Sequence, residues 1–316
     1  MNAHAPSPPQ SLTSQEEAAL GLLLELSAAG YDFVTVTPET HRRVLARKGR
    51  EADSLRDAFG WSVPFSKELL PAPVFEAARE AGFLLPTGSG WKSAVRVSSL
   101  EGGLFLHSAF PTDAEDSVFF GPDSYRFADF IRLSLPDTPG RLADIGAGSG
   151  IGGIVAARLN PGLTIELADL NERALSLARV NAAFAQVPVT TIVSEGLDEI
   201  EAGLAVVIAN PPFMADPSGR TYRSGGEMHG GALSLSWALD AAAKLAPGGT
   251  LLLYTGSAIV DGQDGLLDAL SAGLAEADCS LNYRELDPDI FGEELDRPGY
   301  EQVERIAAVG AVIRKF

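Results

Sequence analysis

From about residue 141 onward, short apolar runs alternate with longer segments of helical periodicity. Leu204-Ala-Val-Val-Ile-Ala209 is one such run, and its unbroken apolar character is typical of a parallel strand buried on both faces. The segment 172–186 has the length and spacing of an amphipathic helix. This alternation predicts an α/β fold with a doubly wound, mostly parallel sheet, which we assign to a main domain over 113–316. The predicted strands are 141–146, 163–169, 189–195, 204–209, 250–256, 279–286 and 307–313, and the predicted helices are 123–131, 151–159, 172–186, 232–246 and 263–276.

The first 112 residues follow a different pattern. Residues 1–12 contain three prolines and no apolar periodicity, so we expect them to be disordered. Residues 13–112 predict a smaller α+β domain, in which Ser14 to Glu17 is a capping box and Pro38 and Pro73 open two further helices. Short strands are predicted at 83–85, 93–98 and 103–107. Three helices followed by a small hairpin are typical of a winged-helix module, which makes this domain a candidate for substrate recognition.

The charge of the chain is negative and unevenly spread. The formal net charge is −18, and residues 113–316 hold 14 Lys or Arg against 30 Asp or Glu. An acidic main domain repels a phosphate backbone, which disfavours broad non-specific binding of nucleic acid. The segment His41 to Arg50 carries five positive charges and keeps a nucleic acid or acidic partner open, although a solvated helix face balanced by nearby acids is the simpler interpretation.

The single cysteine and the hydropathy limit the cellular compartments in which the protein is expected. Cys279 leaves no disulfide framework and no cysteine-based metal site, which favours a reducing compartment. No run of about 18 apolar residues is present to span a membrane, and residues 1–10 lack the apolar core of a signal peptide. We therefore expect a cytoplasmic protein without membrane contact; its oligomeric state cannot be deduced from the sequence.

A glycine-rich loop follows the first predicted strand of the main domain. In Asp144-Ile-Gly-Ala-Gly-Ser-Gly150 the glycines permit a tight turn and a close backbone approach, and the next helix offers its N-terminal N–H groups to a ligand. Gly148, Gly150 and Gly153 formally satisfy the dinucleotide pattern G-x-G-x-x-G. Asp144, however, would repel a pyrophosphate and would favour a ligand with a cationic amino group.

Polar residues also follow the next predicted strands. Asp169 lies 25 residues after Asp144, where a carboxylate can bind both hydroxyls of a ribose; the alternative is that it caps the following helix. Glu195 and Gly196 end the third strand, beside the expected position of an adenine ring. Asn210-Pro-Pro-Phe213 ends the fourth, and such a turn offers an Asn amide and free carbonyl groups as acceptors.

These motifs together resemble a known family. Asp144 to Gly150, Asp169, Glu195 and Asn210 to Phe213, in this order on this fold, resemble a class I S-adenosylmethionine-dependent methyltransferase. More narrowly, they are similar to the methyltransferase small domain group, which includes release-factor glutamine N-methyltransferases and ribosomal-RNA guanine-N2 methyltransferases. The resemblance covers about 113–316.

Two further segments are similar to the glutamine enzymes. They are Pro122-Asp-Ser-Tyr125, ahead of the first strand, and Gly225-Gly-Glu-Met-His-Gly230, after the Asn-Pro-Pro-Phe motif. The predicted hairpin at 92–107 departs from the release-factor pattern. The acceptor suggested by the resemblance therefore stays open between a protein glutamine and a nucleobase.

The resemblance implies a seven-stranded Rossmann-like methyltransferase sheet and S-adenosyl-L-methionine as the cofactor. The residues that it assigns to cofactor binding are Asp144, Gly146, Ala147, Gly148, Ser149, Gly150, Asp169, Leu170, Glu195, Gly196 and Asn210. The residues that it assigns to catalysis are Asn210, Pro211, Pro212 and Phe213, and no metal is expected.

The implied mechanism uses the Asn-Pro-Pro-Phe motif to hold a planar NH₂ group. The Asn210 side-chain oxygen and the Pro211 carbonyl accept its two N–H bonds, while Phe213 stacks on the flat substrate. Positioning and oriented dipoles would then supply most of the rate. The acceptors considered are a protein glutamine amide, an exocyclic amine of an RNA or DNA base, and a small planar amide or amine.

Several alternatives stay open. The glycine loop also suits an NAD-dependent oxidoreductase, and a non-catalytic module could bind a cofactor or a nucleic acid without using Asn210. Four residues that follow the motif could line the substrate entrance or lie in an ordinary surface loop: Arg220, Tyr222, Arg223 and His229. The polar stretch 287–300 is predicted to be a surface loop or a lid.

Overall fold

The computed structural model of the chain describes residues 11–47, 52–88, 90–214 and 225–316. The helices formed by these residues are α1 (Ser14–Ala28), α2 (Pro38–Leu45), α3 (Leu55–Phe59), α4 (Ala72–Glu80), α5 (Pro122–Ser134), α6 (Ile151–Leu159), α7 (Glu172–Phe184), α8 (Ala232–Lys244) and α9 (Gly265–Ala275). The strands are β1 (Leu84–Thr87), β2 (Gly90–Ser93), β3 (Val95–Leu100), β4 (Gly103–Ser108), β5 (Gly140–Ile145), β6 (Leu163–Asp169), β7 (Val189–Val193), β8 (Leu204–Ala209), β9 (Leu245–Val260), β10 (Gln263–Asp264), β11 (Cys279–Asp287) and β12 (Arg305–Lys315).

The main sheet has the strand order β7-β6-β5-β8-β9-β12-β11, with the short β10 paired to β9. The five strands from β7 to β9 pair in parallel, whereas β12 runs antiparallel to both of its neighbours. The prediction of a mostly parallel α/β sheet is therefore confirmed. The strand order reverses between β5 and β8, and the carboxyl ends of the strands beside such a reversal form the ligand crevice of open α/β sheets.

Burial on both faces explains the unbroken apolar runs of the sequence. In β5, Leu142 packs in a core with α5, α6 and α7, while its neighbour Ala143 packs in a separate core with α8 and α9. Both residues are fully buried. Because successive side chains of a strand point to opposite faces, a strand covered on both sides needs an apolar residue at every position.

The N-terminal part consists of α1 to α4 and two hairpins, β1–β2 and β3–β4. Three details correct the sequence analysis. The first helix is capped by Thr13, whose box partner is Glu16, rather than by Ser14. A short additional helix, α3, follows α2, and the strand region forms two hairpins rather than one. The division of the chain at residue 112 and the winged-helix comparison stay predictions.

The N-terminal part packs against helix α7, which is one of the helices that cover the main sheet. The apolar core of that part includes Ala174, Leu177 and Val180 of α7. Asn181 follows them, and its side chain accepts from the Leu106 backbone N–H at 2.7 Å and donates to the Leu106 carbonyl at 3.0 Å. The same amide donates to the Ser149 carbonyl in the glycine-rich loop at 2.9 Å, so strand β4 and this loop share one buried side chain.

A buried ion pair adds to this contact. Glu16 of α1 is only 4% exposed and accepts hydrogen bonds from Arg179 of α7, the shortest at 2.5 Å. Burial raises the pKa of Glu16, but the Thr13 backbone N–H, Arg179 and Ser176 outweigh it and lower the pKa below its usual value. The carboxylate therefore stays ionised and contributes stability that is lost only as the pH falls through this lowered pKa.

Two of the predictions for the first 112 residues fall outside the described ranges: the disorder of residues 1–10, and the basic residues Lys48 and Arg50. Ser11 and Leu12 precede α1 without regular secondary structure. Among the described helices, none is long and apolar enough to cross a membrane.

Candidate active site

The carboxyl ends of β5, β6, β7 and β8 open into one cavity of about 1020 Å³. The predicted residues in its wall are Asp144, Gly146, Ala147, Gly148, Ser149, Asp169, Leu170, Glu195, Gly196, Asn210, Pro211, Pro212 and Phe213. Gly150 alone of the predicted set is not in the wall. A Cβ atom at Gly150 would lie 3.0 Å from the Ala178 side chain, so Gly150 allows the loop to pack on α7.

The loop between β5 and α6 is shaped by glycines in the left-handed region. Gly146 has φ 64° and Gly148 has φ 53°, conformations that L-residues with side chains rarely adopt. A Cβ atom at Gly148 would meet no atom closer than 3.9 Å, so its backbone faces open space in the cavity. The loop thus presents bare backbone to a ligand.

Asp144 lies at the base of this cavity and is 1% exposed. Its Oδ2 accepts a hydrogen bond from the Gly153 backbone N–H at 2.8 Å, in the first turn of α6. Burial raises the pKa of Asp144 to about 8; the Gly153 N–H opposes this rise and the nearby Asp169 adds to it. No cationic side chain among the described residues pairs with Asp144, so a cationic ligand group would stabilise its ionised form.

Asp169 stands across the loop, at the end of β6. Its Oδ2 accepts from the Gly148 backbone N–H at 2.8 Å, and its Oδ1 accepts from the Asn171 backbone N–H at 2.9 Å. Burial raises its pKa, while these backbone donors oppose the rise. The cap of α7 is Asn171 rather than Asp169, because the Asn171 side chain accepts from the Arg173 and Ala174 N–H groups. Asp169 is therefore left in the cavity wall.

An aromatic side chain that the sequence analysis missed closes this end of the cavity. Trp237 of α8 lies against two glycines of the wall: a Cβ atom at Gly146 would be 2.8 Å from its ring, and one at Gly196 would be 3.0 Å from its Nε1. The position of Trp237 in a helix of mixed composition gives no local sign that it faces a ligand. Only the packing of α8 on the sheet brings it to Glu195 and Gly196.

The Asn210-Pro-Pro-Phe213 turn begins directly after β8 and lines the same cavity. Among the described residues, the Asn210 amide makes no hydrogen bond, and no backbone N–H donates to the Pro211 carbonyl. The next two carbonyls, by contrast, lie against other backbone. A Cβ atom at Gly225 would be 2.7 Å from the Pro212 oxygen, and one at Gly230 would be 2.2 Å from the Phe213 oxygen. Asn210 and Pro211 thus keep acceptors available in the cavity.

The Phe213 ring packs between a strand and a C-terminal loop. A Cβ atom at Gly256 of β9 would be 2.3 Å from the ring, and the Phe291 ring centroid is 6.0 Å away. Phe291 belongs to the polar stretch 287–300, which also supplies Glu293, Glu294 and Arg297 to the wall. The predicted loop therefore takes part in the cavity.

Of the four residues considered for the substrate entrance, Arg220, Tyr222 and Arg223 lie outside the described ranges. His229 is not in the cavity wall; its Nδ1 is hydrogen-bonded to the Gly299 carbonyl at 2.8 Å. This contact joins the segment after the motif to the C-terminal loop. No group of three or more potential metal ligands is found among the described residues.

Comparisons with known proteins agree with this geometry. Residues 129–258 match the family model "Methyltransferase small domain". "Ribosomal RNA small subunit methyltransferase C" of Hahella chejuensis is 33% identical over 121 residues, covering 38% of this chain and 32% of the relative. "Release factor glutamine methyltransferase" of Lactococcus lactis is 33% identical over 94 residues, covering 30% of this chain and 35% of the relative. The chain thus spans about a third of the length of these relatives.

A solved structure supports the fold. Wild-type Trm5b from Pyrococcus abyssi superimposes with a TM-score of 0.50 at 14% identity, covering 78% of this chain and 72% of that one. The family match decides between the two interpretations of the glycine loop in favour of the methyltransferase. The predicted resemblance is confirmed over residues 129–258, and with it the enzyme class and cofactor: this stretch matches the methyltransferase small domain, a family of S-adenosylmethionine-dependent methyltransferases.

Proposed function

We propose that the whole chain transfers a methyl group from S-adenosylmethionine to the nitrogen of a planar, conjugated NH₂ group in a macromolecule. The observation that carries this proposal is the pair of available acceptors, the Asn210 amide and the Pro211 carbonyl, in one cavity with Asp144 and Asp169. The relatives named above are a ribosomal-RNA methyltransferase and a glutamine methyltransferase, so a nucleobase amine and a protein amide are the two acceptors considered.

The residues of the cavity fit the cofactor. Asp144 is a buried carboxyl group without a cationic partner among the described residues, and its ionised form suits the ammonium of a methionine portion. The bare backbone at Gly148 leaves room for close approach, and Asp169 offers carboxylate oxygens to ribose hydroxyls. When bound, the cofactor supplies a sulfonium-activated methyl group.

The chain's own part is to position the acceptor. The Asn210 side-chain oxygen and the Pro211 carbonyl accept the two N–H bonds of the NH₂ group, which draws its lone pair out of conjugation. The Phe213 ring, held by Gly256 and Phe291, offers a flat surface for stacking. The nitrogen becomes acidic as it is methylated and would lose one proton to water, so orientation of this kind supplies rate without a strong base.

Substitution of Asn210 tests the function. We expect Asn210→Ala to lower methyl transfer by about 100-fold or more, because one oriented acceptor is lost. S-adenosylhomocysteine binding by calorimetry should fall much less than methyl transfer, because Asn210 is one of several predicted cofactor contacts and the glycine-rich loop, Asp144 and Asp169 are untouched. The assay is transfer of a tritium-labelled methyl group into cell extract treated separately with protease and with nuclease. A variant that keeps full activity, or a wild type that binds no cofactor, would contradict the proposal.

A cytoplasmic location stays a prediction from the single cysteine. Cys279, the single cysteine, is half-buried, and a chain with one cysteine forms no internal disulfide.

A further inference from the structure

A buried carbonyl in the glycine-rich loop has no partner in the helix that follows it. At the start of α6, the Ile154 backbone N–H donates to the Gly150 carbonyl at 3.0 Å. The same spacing would bring the Gly153 N–H to the Ser149 carbonyl, but the Gly153 N–H donates to the Asp144 side chain at 2.8 Å. Because Ser149 is 2% exposed, water has little access to this carbonyl. The Ser149 carbonyl therefore needs a donor from elsewhere in the fold.

The Asn181 side chain of α7 supplies this donor. Its Nδ2 donates to the Ser149 carbonyl at 2.9 Å, and among the described residues no backbone N–H donates to that carbonyl. The second hydrogen of Nδ2 goes to the Leu106 carbonyl at 3.0 Å, and Oδ1 accepts from the Leu106 N–H at 2.7 Å. Asn181 is 1% exposed. A side chain with one acceptor and two donors is needed to make all three bonds, and Asn has both.

Leu106 lies on an edge of the β3–β4 hairpin. In the described part of the chain β4 pairs with β3 alone, so its other edge has no strand partner. The Asn181 amide takes that place at Leu106, because it bonds both backbone groups of the residue as a neighbouring strand would. The Leu106 side chain is fully buried in the core of the N-terminal part. That core therefore fixes the position of the backbone to which Asn181 is bonded.

These contacts give Asn181 a role in cofactor binding. We propose that Asn181 is a positioning residue, which holds the glycine-rich loop in the shape that receives S-adenosylmethionine and makes this shape depend on the β3–β4 hairpin. Asn181 is not in the cavity wall, so it acts through the backbone of Ser149, which is. The inference rests on the cofactor and not on the proposed NH₂ group, so it applies to any methyl acceptor.

Two variants of α7 separate positioning from packing. Asn181→Ala removes the donor to Ser149, and we expect the dissociation constant of S-adenosylhomocysteine, measured by calorimetry with the full chain, to rise about tenfold. Leu177→Ala is the matched control, because it removes apolar contacts of the same helix with the N-terminal core and leaves the loop bonds in place. Both variants should lower the midpoint of thermal unfolding, but Leu177→Ala should leave the affinity nearly unchanged. Wild-type affinity in Asn181→Ala, or equal losses of affinity in the two variants, would overturn the inference.

Amide hydrogen exchange of the unaltered chain tests the same coupling from the other end. If Asn181 links the loop to β4, occupation of the loop by S-adenosylhomocysteine must stabilise β4 in turn, because coupling between two sites is reciprocal. We expect the ligand to slow exchange over 103–108 by about fivefold or more. The effect should be smaller over 72–80, in α4, which packs on α1 in the same core. In Asn181→Ala the two segments should respond alike.

The exchange measurement also distinguishes this inference from the cofactor assignment. Equal slowing over 103–108 and 72–80 in the unaltered chain would indicate general stabilisation by a bound ligand, and would reject the coupling. Tight binding of S-adenosylhomocysteine without slower exchange in β4 would reject it as well. A chain that binds no S-adenosylhomocysteine would instead reject the cofactor assignment, and this inference with it.

Discussion

The surroundings of a single residue in the cavity change its protonation, as Asp144 shows. Asp144 is an ordinary carboxyl group by type, yet it is buried beside Asp169 and receives one backbone N–H from α6. Removal from water disfavours its charged form, so its pKa rises. A ligand ammonium would reverse this effect, because an opposite charge at contact distance favours the ionised carboxylate.

We therefore predict that cofactor binding releases a proton from Asp144. With a pKa raised to about 8, the free carboxyl is mostly protonated at neutral pH, and pairing with an ammonium ionises it. Calorimetry of S-adenosylhomocysteine binding at about pH 7, in two buffers of different ionisation enthalpy, should report close to one proton released. Asp144→Asn should release none and bind more weakly. Equal proton release by the two proteins would contradict this assignment.

At the scale of elements, strand β9 shapes the acceptor side of the cavity. Gly256 lies in β9 opposite Ala308 of β12, and its missing side chain leaves the space that the Phe213 ring fills. Tyr254, two residues earlier on the same face of the strand, is fully buried and donates to Asp123. One face of β9 thus supports both the Phe213 ring and Asp123 of the cavity wall.

Gly256→Ala should displace the Phe213 ring without unfolding the sheet. The added Cβ would lie 2.3 Å from a ring atom, and the side chain can rotate away more easily than the backbone can shift. We expect methyl transfer to fall by about tenfold or more, because the acceptor loses its stacking surface, while cofactor affinity is kept. Gly265→Ala, at a position with open space, is the control and should retain activity. Comparable activity of both variants would argue against a role for the ring.

At the scale of the whole molecule, the N-terminal part and the sheet are held together through α7. Leu177 and Val180 belong to the N-terminal core, and Asn181 joins β4 to the glycine-rich loop. The connector after β4 and residues of α2 also reach the cavity wall. The predicted substrate-recognition role of residues 13–112 is consistent with this position and stays a prediction.

A fragment of residues 113–316 should therefore be less stable than the full chain. Its α7 would expose Ala174, Leu177 and Val180, and Asn181 would lose its Leu106 partners. Exposure of such an apolar surface promotes aggregation. We expect a lower midpoint of thermal unfolding and poor solubility, which Leu177→Gln in the fragment should partly relieve. A soluble fragment with the unfolding midpoint of the full chain would show that the sheet folds independently.

Much of the fold was predictable from local patterns. Apolar runs such as 204–209 and the glycine-rich loop at 144–150 are contiguous in the chain, so the local sequence is sufficient to predict the strand and the turn. Helix α6 and strands β6 and β8 have the predicted bounds. The predicted start of α1 is one residue off because Thr13 and Ser14 are both good caps, and the two reciprocal bonds between Thr13 and Glu16 distinguish them.

The motif residues were also predictable by sequence, because the carboxyl ends of neighbouring parallel strands must meet at one edge of the sheet. What sequence alone determined about this protein is therefore the α/β class, the family and the edge of the sheet where the chemistry lies. Tertiary structure alone decided that Trp237 faces Gly146 and Gly196, and that Tyr254 meets Asp123 across 131 residues of chain. Contacts between residues that are distant in sequence leave no periodic pattern, because they depend on how the helices and strands pack together.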